Sequence, residues 1–221
     1  SHDGIGVRPL QGIISDENIS MLAQKAESHG GFVSYKSNPD GSKTPYELNC
    51  NYMDLLSSPK ESIEYRAKRF MLSQAVMLSF NGIPGVYYHS VFGSENDVEA
   101  VKSSGINRRI NRAKIKIDEL NKDLEDKTSL RSRVYSEYRN LLELRKQEKA
   151  FHPFSDAEFS NEDGLFIIER RSDTGSIYCL FNFSDSPINI ESHIQNKVNI
   201  TSWNQSETHL EPYAYLWLKS I

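Results

Sequence analysis

Apolar positions recur along the chain with two different periods, and the change of period divides it. Over residues 16–28, Ile19, Leu22, Ala23 and Ala26 fall on one helical face. Ser15 stands where it can cap that helix, and Gly30-Gly31 where the helix must end. Two extended pieces follow, 32–36 and 46–48, separated by Pro39, Asp40 and Gly41, which suit a turn. A second helix is expected from Ser58-Pro59, with proline at the first helical position, where its missing N–H costs nothing. Ile63, Ala67, Phe70, Met71, Ala75 and Leu78 keep helical spacing until Asn81-Gly82. Residues 83–89 are apolar, aromatic and β-branched and predict a buried strand, which gives the helix–turn–strand rhythm of a parallel α/β unit. A polar loop over 90–105 leads to helices over 112–125 and 129–149. The second of these turns Leu130, Val134, Tyr138, Leu141 and Leu142 inward and closes on Arg145, Lys146 and Lys149, cations that suit a helix C-terminus.

Beyond Phe151-His152-Pro153 the period becomes two. Residues 165–171, 176–182, 197–203 and 214–219 are strand-like, with turns at Asp163-Gly164 and Asp173-Thr174-Gly175. The fold class expected is therefore α/β then all-β. Residues 1–149 form one domain and residues 150–221 a small antiparallel, sandwich-like β-domain.

Composition narrows the class. The chain has 221 residues, 38% of them hydrophobic and 25% charged, enough to build a core and too apolar for disorder. No apolar run approaches the roughly 20 residues of a bilayer-spanning helix. A net charge of -4 gives no reason to expect a nucleic-acid or anionic-membrane partner. The two cysteines, Cys50 and Cys179, lack metal-ligand spacing, exclude a disulfide scaffold and leave a single bridge open. Their number fits a reducing, cytoplasmic setting. Ser1-His2-Asp3-Gly4 is neither a signal peptide nor an initiator context, so a chain cut from something longer is expected.

The chemistry sits in four segments in order. They are His2-Asp3-Gly4-Ile5-Gly6, Gly82-Ile83-Pro84-Gly85-Val86-Tyr87-Tyr88-His89, Gly93-Ser94-Glu95-Asn96-Asp97, and Arg108-Arg109-Ile110-Asn111-Arg112. A bare His-Asp pair at a terminus is most often an exposed end. Four such segments in sequence resemble the α-amylase superfamily, and within it the sucrose phosphorylase and glucosylglycerate phosphorylase group, over essentially the whole chain.

That resemblance implies the last part of a (β/α)8 TIM barrel, from the end of the seventh strand through the eighth, followed by the β-domain. It makes Asp3 the third carboxylate of a retaining enzyme, gripping the 2- and 3-hydroxyls of a glucosyl unit and stabilising an oxocarbenium-like transition state. His2 would donate to a neighbouring hydroxyl, and the glycines after Asp3 would let the backbone turn sharply beside the sugar. The nucleophile and the general acid/base would precede residue 1, so the isolated chain is expected to be inactive. Pro45-Tyr46-Glu47-Leu48-Asn49 resembles the mobile acceptor-side loop, with Tyr46 facing the leaving sugar or phosphate in turn. Glu47 stands where sucrose phosphorylases usually have glutamine, and Arg8-Pro9 looks more like the glucosylglycerate branch.

Blander readings stand beside these. Tyr46 also reads as an aromatic packed on its own hairpin. The basic cluster Arg108, Arg109, Arg112, Lys114 and Lys116 reads mostly as a solvated face with Arg112 structural; the exception is Arg108, which by motif position resembles the family's arginine at the acceptor subsite, where a planar fork would suit phosphate. His89 reads as a buried histidine satisfied by its neighbours. Trp203, Tyr213, Tyr215 and Trp217 read as core rather than a sugar platform. Asn182-Phe183-Ser184, Asn199-Ile200-Thr201 and Asn204-Gln205-Ser206 match the glycosylation tripeptide, with nothing to indicate secretion.

The function expected is glucosyl transfer from a small α-glucoside to inorganic phosphate, giving α-glucose 1-phosphate without metal or organic cofactor. Two alternatives remain open: an α-glucosidase or transglucosidase of the same superfamily, and a non-catalytic β-module that binds a partner or glycan. A partial barrel exposes strand edges, so a homodimer through those edges is also expected.

Overall fold

The computed structural model describes residues 2–201 and 206–221. The end of the strand expected at Trp203, the core role expected of Trp203 and most of the tripeptide at Asn204 lie outside the described residues. The chain divides into two compact units, Ser1–Phe70 with Val86–Tyr135, and Met71–Gly85 with Ser136–Ile221.

In the first unit, β1 (Ile5–Gly6) is followed by α1 (Asp16–Ser28), β2 (Phe32–Ser37) and β3 (Lys43–Asn49). Ser15 caps α1 by accepting from the Asn18 N–H at 3.3 Å, and Gly30 leaves the helix at φ 85°. The strands form an antiparallel sheet in the order β1-β3-β2. α1 lays Ile19, Ala23 and Ala26 against Val7, Leu48 and Cys50 of this sheet region. The approach is close enough that a Cβ at Gly31 would stand 2.8 Å from the Ala26 carbonyl oxygen. Pro45–Asn49 therefore belongs to the central strand of a sheet, not to a loop.

Two helices follow, α2 (Tyr52–Leu56) and α3 (Ile63–Ser79). Pro59 lies in the turn ahead of α3 rather than at its first position, and Ser62 does the capping by accepting from the Tyr65 N–H at 3.2 Å. The expected strand over 83–89 is absent. Residues 83–87 form no ladder and Tyr88–Val91 is a short helix, α4. A strand exists only through its neighbours, and among the described residues none runs beside this segment, which leaves Ile83 85% exposed. The parallel α/β rhythm goes with it: parallel pairing among the described residues is one isolated bridge, Gln11 to Ile14.

The expected loop over 90–105 contains α5 (Val98–Ser104), capped by Asp97 accepting from the Ala100 N–H at 3.0 Å and ended by Gly105 at φ 68°. Both signals stand in the sequence. A 3₁₀ turn covers Asn107–Asn111, and α6 (Ile117–Glu125) starts five residues later than the pattern predicts. α7 (Leu130–Gln147) follows the expected register, burying Leu130, Val134, Tyr138 and Leu141.

The second unit is built on a five-stranded antiparallel sheet. Its strands are β4 (Ala157–Glu162), β5 (Leu165–Ser172), β6 (Gly175–Phe181), β8 (Lys197–Asn199) and β10 (Tyr215–Ser220), ordered β4-β5-β6-β10-β8. A smaller layer, β7 (Ile188–Asn189), α8 (Glu191–Ile194) and β9 (His209–Leu210), covers one face over Leu165, Ile167, Leu180, Leu216 and Leu218. Register aligns Ile168, Cys179 and Trp217 in a row on the other face, where Phe151 packs on Trp217 at 4.5 Å. Tyr215 and Trp217 are fully buried, so they are core as expected. Cys50 and Cys179 are free, buried thiols, and burial pushes each up to about 12.

Candidate active site

The site forms in the first unit where three segments meet: residues 2–4, strand β3, and the 3₁₀ turn over Asn107–Asn111. Asp3 is its centre. Arg112 donates to the Asp3 carboxylate through Nη2 and to the His2 carbonyl oxygen through Nε at 2.9 Å. Arg108 Nε stands 4.0 Å and His2 Nε2 3.4 Å from the same carboxylate. The Asn111 amide donates to the Asp3 carbonyl oxygen, and the Tyr87 hydroxyl to the Asn111 carbonyl oxygen at 2.9 Å. His2 itself is largely exposed, its ring edge-on to Tyr87 at 6.3 Å.

Strand β3 supplies the neighbours. Tyr46 is 38% exposed, and its carbonyl accepts from the Val7 N–H at 3.0 Å. Alternation turns Glu47 the other way, to 5% exposure, where Arg108 reaches it at 3.2 Å. Gly4 makes that possible: a Cβ there would lie 2.5 Å from the Glu47 Cγ. Of the glycines after Asp3, Gly4 thus serves close approach, while a Cβ at Gly6 would meet nothing within 4 Å, and neither has the positive φ of a sharp turn.

The charges are ordered. Partial burial raises the Asp3 carboxyl, but the Arg112 hydrogen bond and the Arg108 and His2 charges outweigh it and hold Asp3 below the ordinary carboxylate range. It is therefore an ionised acceptor at neutral pH, able to take hydrogen bonds from hydroxyls and unable to act as an acid. Glu47 and Asp3 hold Arg108 more firmly protonated than an ordinary guanidinium, and Arg108 remains half-exposed. A carboxylate between two half-exposed guanidiniums can bind a polyol and an anion side by side.

The sequence expectations meet this geometry unevenly. His2, Asp3, Glu47 and Arg108 converge. Tyr46 shares the strand, pointing away from Glu47. Arg112, expected to be structural, has a holding role of that kind, tying the Asp3 carboxylate and the His2 carbonyl to the end of the 3₁₀ turn. Lys116 stands apart from this group in an exposed pair with Glu119. His89 is buried with Nδ1 on Ser94 at 2.8 Å, and burial lowers its pKa.

The network beneath the site is not visible in the sequence. Arg66 donates to Asp54 and to Glu95, both at 2.7 Å, and Asp54 also accepts from the Asn96 N–H at 2.6 Å. Burial pushes the Asp54 carboxyl up to about 6 against the opposing pull of Asn96 and Arg66.

Comparison with known proteins gives a consistent set. Over 99% of its length the chain is 37% identical to the glucosylglycerate phosphorylase of Escherichia coli (strain K12), and over 83% it is 43% identical to that of Spirochaeta thermophila. It covers 40% and 32% of those two proteins. The crystal structure of sucrose 6F-phosphate phosphorylase from Thermoanaerobacter thermosaccharolyticum matches with a TM-score of 0.65 at 23% identity, over 82% of this chain and 35% of that one. No family model matches the chain.

Proposed function

Because the chain is a homologue of the glucosylglycerate and sucrose phosphorylases of the α-amylase superfamily, we propose that it is the carboxyl-terminal part of a retaining α-glucoside phosphorylase. The whole enzyme transfers a glucosyl unit from a small α-glucoside to inorganic phosphate. Residues 1–149 complete its barrel and residues 150–221 form its β-domain. The observation that carries this reading is the convergence of His2, Asp3, Glu47 and Arg108 at one ionised centre.

Asp3 is held ionised, so it can bind the hydroxyls of a glucosyl unit and strengthen those bonds as positive charge develops at the anomeric carbon. His2 lies beside it with an exposed ring able to donate to a further hydroxyl. Nucleophile and general acid/base come from the part of the enzyme ahead of these residues. Attack by the nucleophile forms a β-glucosyl-enzyme, the aglycone leaves with the proton of the acid, and phosphate then displaces the enzyme carboxylate to give α-glucose 1-phosphate. Tyr46 and Glu47 border the acceptor side, and the open guanidinium of Arg108 receives phosphate. A glucosylglycerate-type substrate fits best, given 37–43% identity to enzymes of that name.

Residues 83–87, extended and without a ladder here, take the place of the eighth barrel strand in the whole enzyme. In the isolated chain the same backbone is where a second copy would pair, and that chain has no glucoside-cleaving activity.

The test uses the full-length protein with glucosylglycerate, assayed with and without inorganic phosphate. Phosphate-dependent release of glucose 1-phosphate is expected. Release of free glucose at the same rate without phosphate would make it a hydrolase, and no turnover of any α-glucoside would leave a binding module.

A further inference from the structure

Asn51 sits at the N-cap of α2, where an asparagine side chain ordinarily accepts from the first turn of its own helix. Here it caps nothing. Its Nδ2 donates instead to the Glu95 carbonyl oxygen at 2.7 Å and to the Ile110 carbonyl oxygen at 3.3 Å, and its backbone N–H donates to Asn96 Oδ1 at 2.7 Å. Asn51 is 9% exposed and Ile110 fully buried, so the bond between them is shielded from water.

Ile110 lies midway between Arg108 and Arg112. Its carbonyl also accepts from the Asp97 N–H at 3.0 Å, so the segment over 94–97 and the arginine-bearing turn are pinned to each other and to Asn51. Asp54 and Arg66 fix the far side of the 94–97 segment. Strand β3 thus secures the arginine turn twice: through Glu47 on the Arg108 side chain, and through Asn51, two residues past the strand, on the backbone between the arginines.

We infer that Asn51 is a positioning residue, giving up its helix cap to hold Arg108 and Arg112 in register with Asp3. This rests on the phosphorylase reading only for what Arg108 binds. The placement of the arginines relative to Asp3 is a property of this chain.

In the full-length protein, Asn51→Asp keeps the shape and replaces the donor with an oxygen facing two carbonyls. Asn51→Ser shortens the side chain so that no donor reaches the two carbonyls, and keeps the test open should the aspartate variant fail to fold. The KM for inorganic phosphate is expected to rise about tenfold, the scale of a lost buried hydrogen bond, with kcat within about threefold. A role in stability alone would lower the melting temperature and the active fraction, hence kcat, and leave KM where it was.

Arg108→Ala is the reference. If it raises the phosphate KM while both Asn51 variants leave it unchanged, the inference is overturned and the phosphorylase reading stands. If Arg108→Ala does not move the phosphate KM, the phosphate role of Arg108 fails. The decision then rests on the Nε–H resonances of Arg108 and Arg112 in the full-length protein. Displacement of both by Asn51→Ser supports positioning, and unchanged resonances overturn it.

Discussion

The two units of this chain reach order by different means. The second is arranged by side-chain alternation. Leu165, Ile167, Leu180, Leu216 and Leu218 fill one face of its sheet, and Ile168, Cys179, Phe181 and Trp217 line the other. The first has an apolar cluster of similar size between α1 and a three-stranded sheet. Its longer segments are wired by buried polar groups: Asn51 to Glu95 and Ile110, Asp54 to Asn96 and Arg66, Asn111 to Asp3. Burial of apolar area is non-directional and tolerates change. A hydrogen-bonded network fixes atoms and leaves a costly orphan wherever it is broken. The candidate site lies in the unit built the second way, where pre-set geometry matters most.

The sharpest challenge to this contrast is the buried cation of the second unit. Arg170 is fully buried on β5, and its guanidinium donates to the carbonyls of Ser79, Phe80 and His152 at 2.8–3.0 Å. Together with Arg145, which donates to Leu78 and Gly82, it closes the C-terminal end of α3. Arg170→Met is expected to destabilise the protein by at least about 4 kcal/mol in urea unfolding, because several buried carbonyls lose their donor together. A loss near that of an ordinary core substitution, about 1 kcal/mol, would mean the apolar faces alone specify this unit.

A smaller effect isolates the first unit. Asp54 ionises near 3.8 in an unfolded chain and near 6 when buried here, so the folded state takes up this proton first. The carboxyl therefore favours folding at low pH, and that advantage is lost as pH rises through 6. Relative to Asp54→Asn, the wild-type chain should lose about 2–3 kcal/mol of unfolding free energy between pH 4 and pH 7. An identical pH dependence in both proteins would show that Arg66 and Asn96 cancel the cost of burial.

The same contrast explains what the sequence discloses. Helix α1 with its Ser15 cap, the face of α7, strands β5, β6 and β10 and the start of β8 are legible because local pattern and tertiary burial agree. Residues 83–87 misled, because the apolar run fits a strand but a strand needs neighbours. Helix α5 went unseen although Asp97 and Gly105 mark both its ends, because its body is too polar to show a period. Asp3 and Arg108 could be singled out from their motifs. The roles of Asn51 and Asp54 were not readable, because each acts through a partner more than 40 residues away. Of the aromatic residues picked out in the β-domain, Tyr215 and Trp217 are core, while the exposed rings include Phe159, which no motif marks.

The most direct test of the account is Asp3→Asn in the full-length protein, with phosphate-dependent release of glucose 1-phosphate as the readout. The account predicts a fall in kcat of about a thousandfold or more with the melting temperature unchanged within a few degrees, because a neutral amide cannot stabilise developing positive charge. Turnover near that of the wild-type enzyme would contradict it.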